Sequence, residues 1–384
     1  MLKRLHLKNF TVFADANFEF VQGLNVIVGT NGTGKSHVLK VGYSVLKGLR
    51  GQIIESVLLR GDSVALNSAV HRQRVSDSFF LNNLLETFRP VPFKLAELVR
   101  KGSDEMSLIE FELYDKDLKA GNYKFDLLHA SEMPLVHVSP SPLATPPEIV
   151  SAIQERISSP VFIPAKEVLT LSWIIPATST LVLPIDETYV DILTKLSYLP
   201  LRNPELSVQS ILKSLTDILG GEVEQEGNNF YLISSSKDRM EINMVAEGLR
   251  KFGTLQRLLV NGSLSTNATL FWDEPEANLN PALLRKLAAI LAELARQGFQ
   301  IILATHSMSL LKEFHILSRE KDAKPLPIKY FGLNAGPGEA TRIVTTDNFE
   351  YLPDILALEV ELEQADALEE IFVREDQQRH ADNH

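Results

Sequence analysis

Apolar and polar residues alternate over residues 2–9 and again over 16–21, and that period of two predicts two strands joined by a turn near Asp15. Residues 24–28, Leu-Asn-Val-Ile-Val, form a short, largely apolar run, the pattern of a strand buried on both faces. Val38, Leu39, Val41 and Leu46 then recur at helical spacing across 37–49. Residues 60–105 are mixed and read as partly helical. Alternation returns at 106–113, and 122–128 can pair back on it. Five prolines within 134–147 predict an irregular connection. Residues 161–163 read as a buried strand closed by Pro164. Residues 186–219 read as helix interrupted by Pro200 and Pro204, and 230–233 with 240–244 as a second hairpin. The remaining signals are a helix at 246–259, a strand at 269–272, a helix at 281–297 and a strand at 300–304. There is no internal repeat, and no heptad run long enough for a coiled-coil arm.

Between the strand at 24–28 and the helix at 37–49 lies Gly29-Thr30-Asn31-Gly32-Thr33-Gly34-Lys35-Ser36. Three glycines let the backbone curl so that N–H groups converge on phosphate oxygens at a helix N-terminus. Asn31, Gly32, Thr33 and Gly34 shape the cradle, Lys35 adds a point charge, and Ser36 offers a hydroxyl to Mg²⁺. The strand–loop–helix context makes this a phosphate-binding loop for ATP. Asp273 and Glu274 follow the buried strand at 269–272. The first suits the Mg²⁺ shell and the second suits a general base that polarises water. Asn280-Pro281 is a start signal for the next helix. His306 follows the strand at 300–304, where it can sense a γ-phosphate and assist catalysis.

Composition narrows the setting. The 384 residues are 45% hydrophobic and 23% charged, enough to bury a core and too apolar for wholesale disorder. There is no cysteine, which excludes disulfides, thiolate metal sites and a thiol nucleophile. No apolar run reaches the roughly 18 to 20 residues of a membrane span. A cytoplasmic protein with no membrane partner is therefore expected. The net charge of −11 is uneven: residues 1–101 carry +7 and residues 347–384 carry −10. The whole-chain balance argues against indiscriminate coating of nucleic acid, while a local basic surface leaves a nucleic-acid partner open.

Leu7-Lys8-Asn9-Phe10, the run 24–36, Asp273-Glu274-Pro275-Glu276, Asn278-Leu279-Asn280-Pro281 and Thr305-His306-Ser307 together resemble the ABC-type ATPases of the SMC/RecF/OLD group. Val245-Ala246-Glu247-Gly248-Leu249-Arg250-Lys251 resembles that group's signature, which lies upstream of Walker B and opens a helix. The segments 162–169 and 186–189 also look like the armless, PtuA-like ATPases of Septu-type antiphage modules. The resemblance implies an α/β fold: an ABC-type P-loop ATPase head with a mixed sheet, an N-terminal antiparallel lobe and a helical insertion. It implies a homodimer that sandwiches two ATP molecules, with Glu247, Gly248, Asn278 and Asn280 acting in trans, and it leaves higher oligomers open. One departure is Ala246, where the family usually carries serine. A lost charge-assisted hydrogen bond is worth roughly 1.5 to 3 kcal/mol, which implies binding with slowed hydrolysis. The family's Q-loop glutamine has no obvious counterpart, Gln52 and Gln73 being weak candidates.

These readings divide the chain into an ATPase lobe at 1–60, an insertion and accessory lobe at 61–240, a second ATPase lobe at 241–346 and an acidic C-terminal helix and tail at 347–384. Arg72, Arg74, Arg89, Lys94, Arg100 and Lys101 form a basic set that suits either phosphate backbones or plain solvent. Leu358, Leu362, Ala365, Leu368 and Phe372 make a stripe that suits either a partner or the protein's own lobe. The expected function is an ATP-binding and hydrolysing switch controlling a separate effector, a nuclease, in antiphage defence. The alternatives are a RecF-like DNA-repair ATPase and a slowly or non-hydrolysing nucleotide-gated scaffold.

Overall fold

The computed structural model describes residues 1–61, 80–103, 106–114, 122–127, 159–178, 181, 183–320, 323–352, 363–364 and 366–375. The expected irregular connection at 134–147, Arg72, Gln73, Arg74, Leu358, Leu362 and Ala365 lie outside these residues, as does the Gln52 side chain.

The N-terminal alternation becomes β1 (Leu2–Phe10) and β2 (Phe13–Glu19), paired antiparallel. Their turn is at Thr11 and Val12; Asp15, the predicted turn, lies inside β2 opposite Lys8. β4 (Ser107–Leu113) pairs with the other edge of β1, and β5 (Asn122–Leu127) pairs with β4, giving the sheet order β2-β1-β4-β5.

The apolar runs build the central sheet. β3 (Leu24–Gly29), β6 (Val161–Ile163), β10 (Thr269–Asp273), β11 (Gln300–Thr305) and β12 (Ile328–Asn334) run parallel, and β13 (Arg342–Thr346) runs antiparallel at the edge. The order is β13-β12-β3-β11-β10-β6. A third sheet holds β7 (Gly221–Glu226), β8 (Asn229–Ser234) and β9 (Arg239–Glu241). The predicted second hairpin is therefore β8 and β9, with 242–244 forming a 3₁₀ turn instead of strand. Stretch 61–240 contributes to all three sheets, interleaved with the flanking segments rather than set apart from them.

Successive residues of the central strands face opposite cores. Ile27, Phe271, Ile302 and Phe331 join β1, β2 and helix α1 (Lys35–Gly61) in one buried cluster. Val26, Val28, Leu270, Trp272, Ile301 and Leu303 face the other cluster. That second layer contains α2 (Glu187–Leu196), α3 (Gln209–Leu219), α4 (Glu247–Val260), α5 (Pro281–Arg296) and α6 (Met308–Ser318). Burial on both faces explains why these strands lack polar alternation. By contrast, the described part of the C-terminal stripe is not packed on the protein's own lobe: Leu368 is 54% exposed and Phe372 63%.

Gln300 fastens the N-terminal sheet to the central one. Its amide is fully buried. Oε1 accepts from Leu2 N (2.9 Å) and Thr269 Oγ1 (2.7 Å), and Nε2 donates to Leu2 O (2.6 Å) and Val21 O (3.2 Å). Gln300→Leu would keep the shape and strand several buried polar groups, each costing about 1–3 kcal/mol. We expect urea unfolding to show a loss of roughly 3 kcal/mol. A loss below about 1 kcal/mol would mean that this amide does not hold the sheets together.

Candidate functional site

Three loops leave the carboxyl edge of the central sheet side by side, because β11 lies between β3 and β10. Val28 pairs with Thr305 and Asp273 with Ala304, so the phosphate loop, Glu274 and His306 emerge at one level. Open parallel sheets bind ligands at this edge.

Within the loop, Gly32 and Gly34 have φ of +85° and +91°. Gly34 is also hemmed in: a Cβ there would lie 2.5 Å from Val12 Cγ2 and 2.7 Å from Phe13 Cζ. Lys35 is buried, and its Nζ donates to Gly29 O (2.8 Å) and Thr30 O (3.0 Å). Burial lowers its pKa, while Glu274, Asp273 and Glu276 pull it back up. Thr33 Oγ1 donates to Thr30 O (2.8 Å), and Thr341 Oγ1 to Thr33 O (3.0 Å). The loop is thus pre-shaped, with Asn31 and Gly32 exposed at its tip.

Asp273 is held with Ser36. Burial raises the Asp273 pKa, and a hydrogen bond from the Ser36 side chain opposes that rise. Its Oδ1 is buried and has no hydrogen-bond partner. An orphaned carboxylate oxygen beside a serine hydroxyl suits a hard divalent cation such as Mg²⁺. Among the described residues no group of three or more His, Asp or Glu could cage a metal. Phosphate and water oxygens would therefore complete the shell.

Glu274 follows with φ +47°, and its N–H donates to Ala304 O (2.9 Å). His306 Nδ1 lies 3.3 Å from Glu274 Oε1 and 3.8 Å from Glu276 Oε1. Glu276 has no assigned role in the sequence reading, yet it organises this corner. Its Oε1 accepts from Thr305 Oγ1 (2.6 Å) and His306 N (3.3 Å).

The signature turn opens α4. Ala246 is the N-cap and makes no side-chain cap bond, consistent with its missing hydroxyl. Glu247 Oε1 accepts from Asn278 Nδ2 (2.7 Å), and a Cβ on Gly248 would lie 2.9 Å from Asn278 O. Asn280 Oδ1 caps α5 by accepting from Leu283 N (2.9 Å). The signature turn and the segment 278–280 are thus neighbours within one chain. Among the described residues no hydrogen bond joins α4 to residues 29–36. The sequence reading missed Lys251, whose buried Nζ donates to Glu274 O (3.1 Å) and Pro275 O (3.2 Å). Its place in the signature run was the available signal.

A cleft of about 1020 Å³ opens beside the phosphate loop, between Val12, Gly32, His37, Phe88 and Pro337. It is roomy enough for a nucleoside. Arg100 and Lys101 line it, and Arg89 Nη1 donates to Leu183 O and Ile185 O (3.1 Å each). Within the described part of the basic set, Arg89 is spent on backbone, Arg100 and Lys101 line the cleft, and Lys94 and Lys101 are exposed.

The chain resembles known ATPases in sequence and in fold. Residues 157–312 match the family described as "AAA domain, putative AbiEii toxin, Type IV TA system", and residues 4–40 match one described as an AAA domain. The chain is 37% identical over 82 residues to the DNA double-strand break repair Rad50 ATPase of Archaeoglobus fulgidus, covering 21% of this chain and 9% of that protein. It is 40% identical over 67 residues to the chromosome partition protein Smc of Rhodopirellula baltica, covering 16% and 6%. The matched stretch thus spans under a tenth of either relative. An Smc head bound to the C-terminal winged-helix domain of ScpA superposes with TM-score 0.56 at 15% identity, covering 91% of this chain and 98% of that one. An Smc head with extended coiled coil from Pyrococcus furiosus, bound to the C-terminal domain of ScpA, gives 0.51 at 14%, covering 95% and 99%. The fold is that of an SMC head. The chain carries AAA-type ATPase sequence with SMC and Rad50 similarity. No helix among the described residues is long and apolar enough to cross a membrane.

His37, on the wall of the cleft, carries a pH signature. Its Nδ1 is buried without a partner, and its ring packs 5.6 Å from Phe88. Burial first, and Lys40 second, push its pKa from 6.5 down to about 4. Between those values the unfolded chain binds a proton that the native state refuses. Stability therefore falls as pH drops from 6.5 towards 4 and levels off below. We expect this residue to account for a loss on the order of 2 to 3 kcal/mol between pH 7 and pH 4.5. Urea titrations at both pH values should show that part of the loss missing in His37→Gln. Equal losses in both proteins would remove His37 as the cause.

Proposed function

We propose that this chain is the ATP-hydrolysing head of a homodimeric switch that controls a separate effector. One observation carries the reading. Lys35, Ser36, Asp273, Glu274 and His306 converge on one sheet edge, while Ala246 and Glu247 at the opening of α4 are exposed and make no hydrogen bond to residues 29–36 among the described residues. An exposed helix N-terminus is a ready anion site, and a second copy's nucleotide would supply the anion.

Each group then has a task. Lys35 exchanges its contacts with Gly29 O and Thr30 O for the β- and γ-phosphates. Ser36 and Asp273 would hold Mg²⁺, which when bound would neutralise phosphate charge. Glu274 takes a proton from a water whose oxygen bonds to the γ-phosphorus as the bond to ADP breaks. His306 steadies the Glu274 carboxylate through Nδ1 and registers the arrival or loss of the phosphate. Gly248 and Glu247, with Asn278 beside them, close the site from the partner copy, and Asn280 fixes the start of α5 behind them.

We assign the effector to a nuclease in antiphage defence. That assignment draws on the toxin–antitoxin wording of the family matching 157–312 and on the PtuA-like segments at 162–169 and 186–189. A DNA-repair ATPase of the RecF kind is the second reading, favoured by the Rad50 similarity. It ranks lower because Arg89 is spent on the carbonyls of Leu183 and Ile185, and Arg100 and Lys101 line the cleft beside the phosphate loop. A weakly hydrolysing scaffold is the third reading, and it rests on Ala246.

Glu274→Gln should retain Mg·ATP and double the mass seen by light scattering, while Lys35→Ala should stay at the nucleotide-free mass. Steady hydrolysis should fall at least about a hundredfold in Glu274→Gln. Identical masses with and without ATP would contradict the switch, and turnover unaffected by Glu274→Gln would contradict the base assignment.

A further inference from the structure

Lys251 is a buried cation with an unusual choice of partners. It is 4% exposed and makes no ion pair within 4 Å among the described residues. Its Nζ is directed at two backbone carbonyls, Glu274 O and Pro275 O. Burial lowers its pKa, and Glu276, Glu247, Glu274 and Glu167 raise it again. A lysine kept in so enclosed a place, bonded to the peptide units around the general base, fixes backbone more than it balances charge.

The backbone it holds needs holding. Glu274 has a left-handed φ of +47°, which a β-carbon disfavours, and Asn278 at the far end of the same loop has φ +62°. The loop's other bonds are Glu274 N to Ala304 O (2.9 Å), Ala277 N to Glu274 O (3.2 Å), Leu279 N to Glu276 O (3.1 Å) and those that Glu276 Oε1 accepts from Thr305 Oγ1 and His306 N. Of these contacts only those of Lys251 tie the carbonyls of Glu274 and Pro275 to α4. The helix that carries Lys251 touches this loop at both ends. Its first turn meets Asn278 through Glu247 and Gly248, and its second turn meets Glu274 and Pro275 through Lys251. A shift of the α4 N-terminus therefore moves the peptide that aims the Glu274 carboxylate.

In the two-copy site proposed above, on which this inference rests, α4 of one copy touches the nucleotide held by its partner. Its own Glu274 serves the other nucleotide. We propose that Lys251 is a positioning residue that couples the two nucleotide sites of the dimer, transmitting engagement of the partner's nucleotide at the α4 N-terminus to Glu274 of its own chain.

The test compares ATP hydrolysis against ATP concentration for the wild type, Lys251→Met and Asn278→Ala, with equilibrium binding of a fluorescent ATP analogue in parallel. The wild type is expected to be cooperative, with a Hill coefficient approaching about 2 for two coupled sites. In Lys251→Met the coefficient should fall to about 1 and kcat by roughly tenfold, with analogue affinity changed less than about twofold. A merely structural lysine would change stability without changing the Hill coefficient. Asn278 is exposed, so its truncation loosens the same coupling from the other end should Lys251→Met fail to fold, and it should lower the coefficient too. A cooperative wild type matched by cooperative variants overturns the role of Lys251 alone. A wild type that hydrolyses ATP without cooperativity and without an ATP-driven change in mass overturns the two-copy reading and this inference with it.

Discussion

β11 lies between β3 and β10, and the chemistry of the molecule depends on that placement. The parallel ladders pair Val28 with Thr305 and Ala304 with Asp273, which fixes the phosphate loop, Glu274 and His306 at one level. A one-residue slip would turn Trp272 and Leu303 out of one core and Phe271 and Ile302 out of the other. Burial on both faces specifies the register, and the register specifies the site. Gln300 extends the same constraint to the N-terminal sheet, whose Val12 and Phe13 close over Gly34.

The site is built from charges that the fold makes uncomfortable. Burial lowers the pKa of Lys35 and Lys251 and raises that of Asp273, so each charge is disfavoured where it sits. Neighbouring opposite charges and directed backbone contacts keep them in place. Phosphate at Lys35 and a divalent cation at Asp273 would relieve both mismatches, so ligand binding and folding pull in the same direction. The composite-site reading adds that relief is incomplete until the α4 N-terminus of a second copy approaches. On that reading, the incompleteness is what would make a switch out of a binding site.

Much of this was legible in the sequence. The phosphate loop, Asp273-Glu274 and Thr305-His306 are contiguous, each directly follows an apolar run, and the runs had to be strands buried on both faces. What escaped depends on partners distant in sequence. β12 mixes lysine, glycine and aromatic residues, and only pairing with β3 makes it a core strand. β7 is the exception: it alternates glutamate with Gly221, Val223 and Gln225 and pairs with β8 across the tight turn at Gly227 and Asn228, a local hairpin that its charged composition concealed. The turn at Thr11 and Val12 was misplaced because Phe13 and Ala14, two apolar neighbours, break the period of two where β2 begins. Glu276 and Lys251 read as ordinary charged residues; their roles come from Thr305 and from the carbonyls of Glu274 and Pro275. Arg100 and Lys101 read as surface charge until the cleft placed them beside the loop.

The central claim is that each nucleotide is served by two chains. It is tested most directly by mixing two inactive proteins, one carrying Lys35→Ala and the other Gly248→Asp. In the first the phosphate loop is lost and the signature turn is intact; in the second the reverse holds. Random pairing makes half of the dimers mixed, and each mixed dimer has one intact composite site, so the mixture should recover up to about a quarter of wild-type ATP hydrolysis, or roughly a fortieth where the dead second site leaves Glu274 of the intact site uncoupled. A mixture no more active than the sum of its parts, or a Gly248→Asp protein that hydrolyses ATP normally on its own, would contradict the shared site.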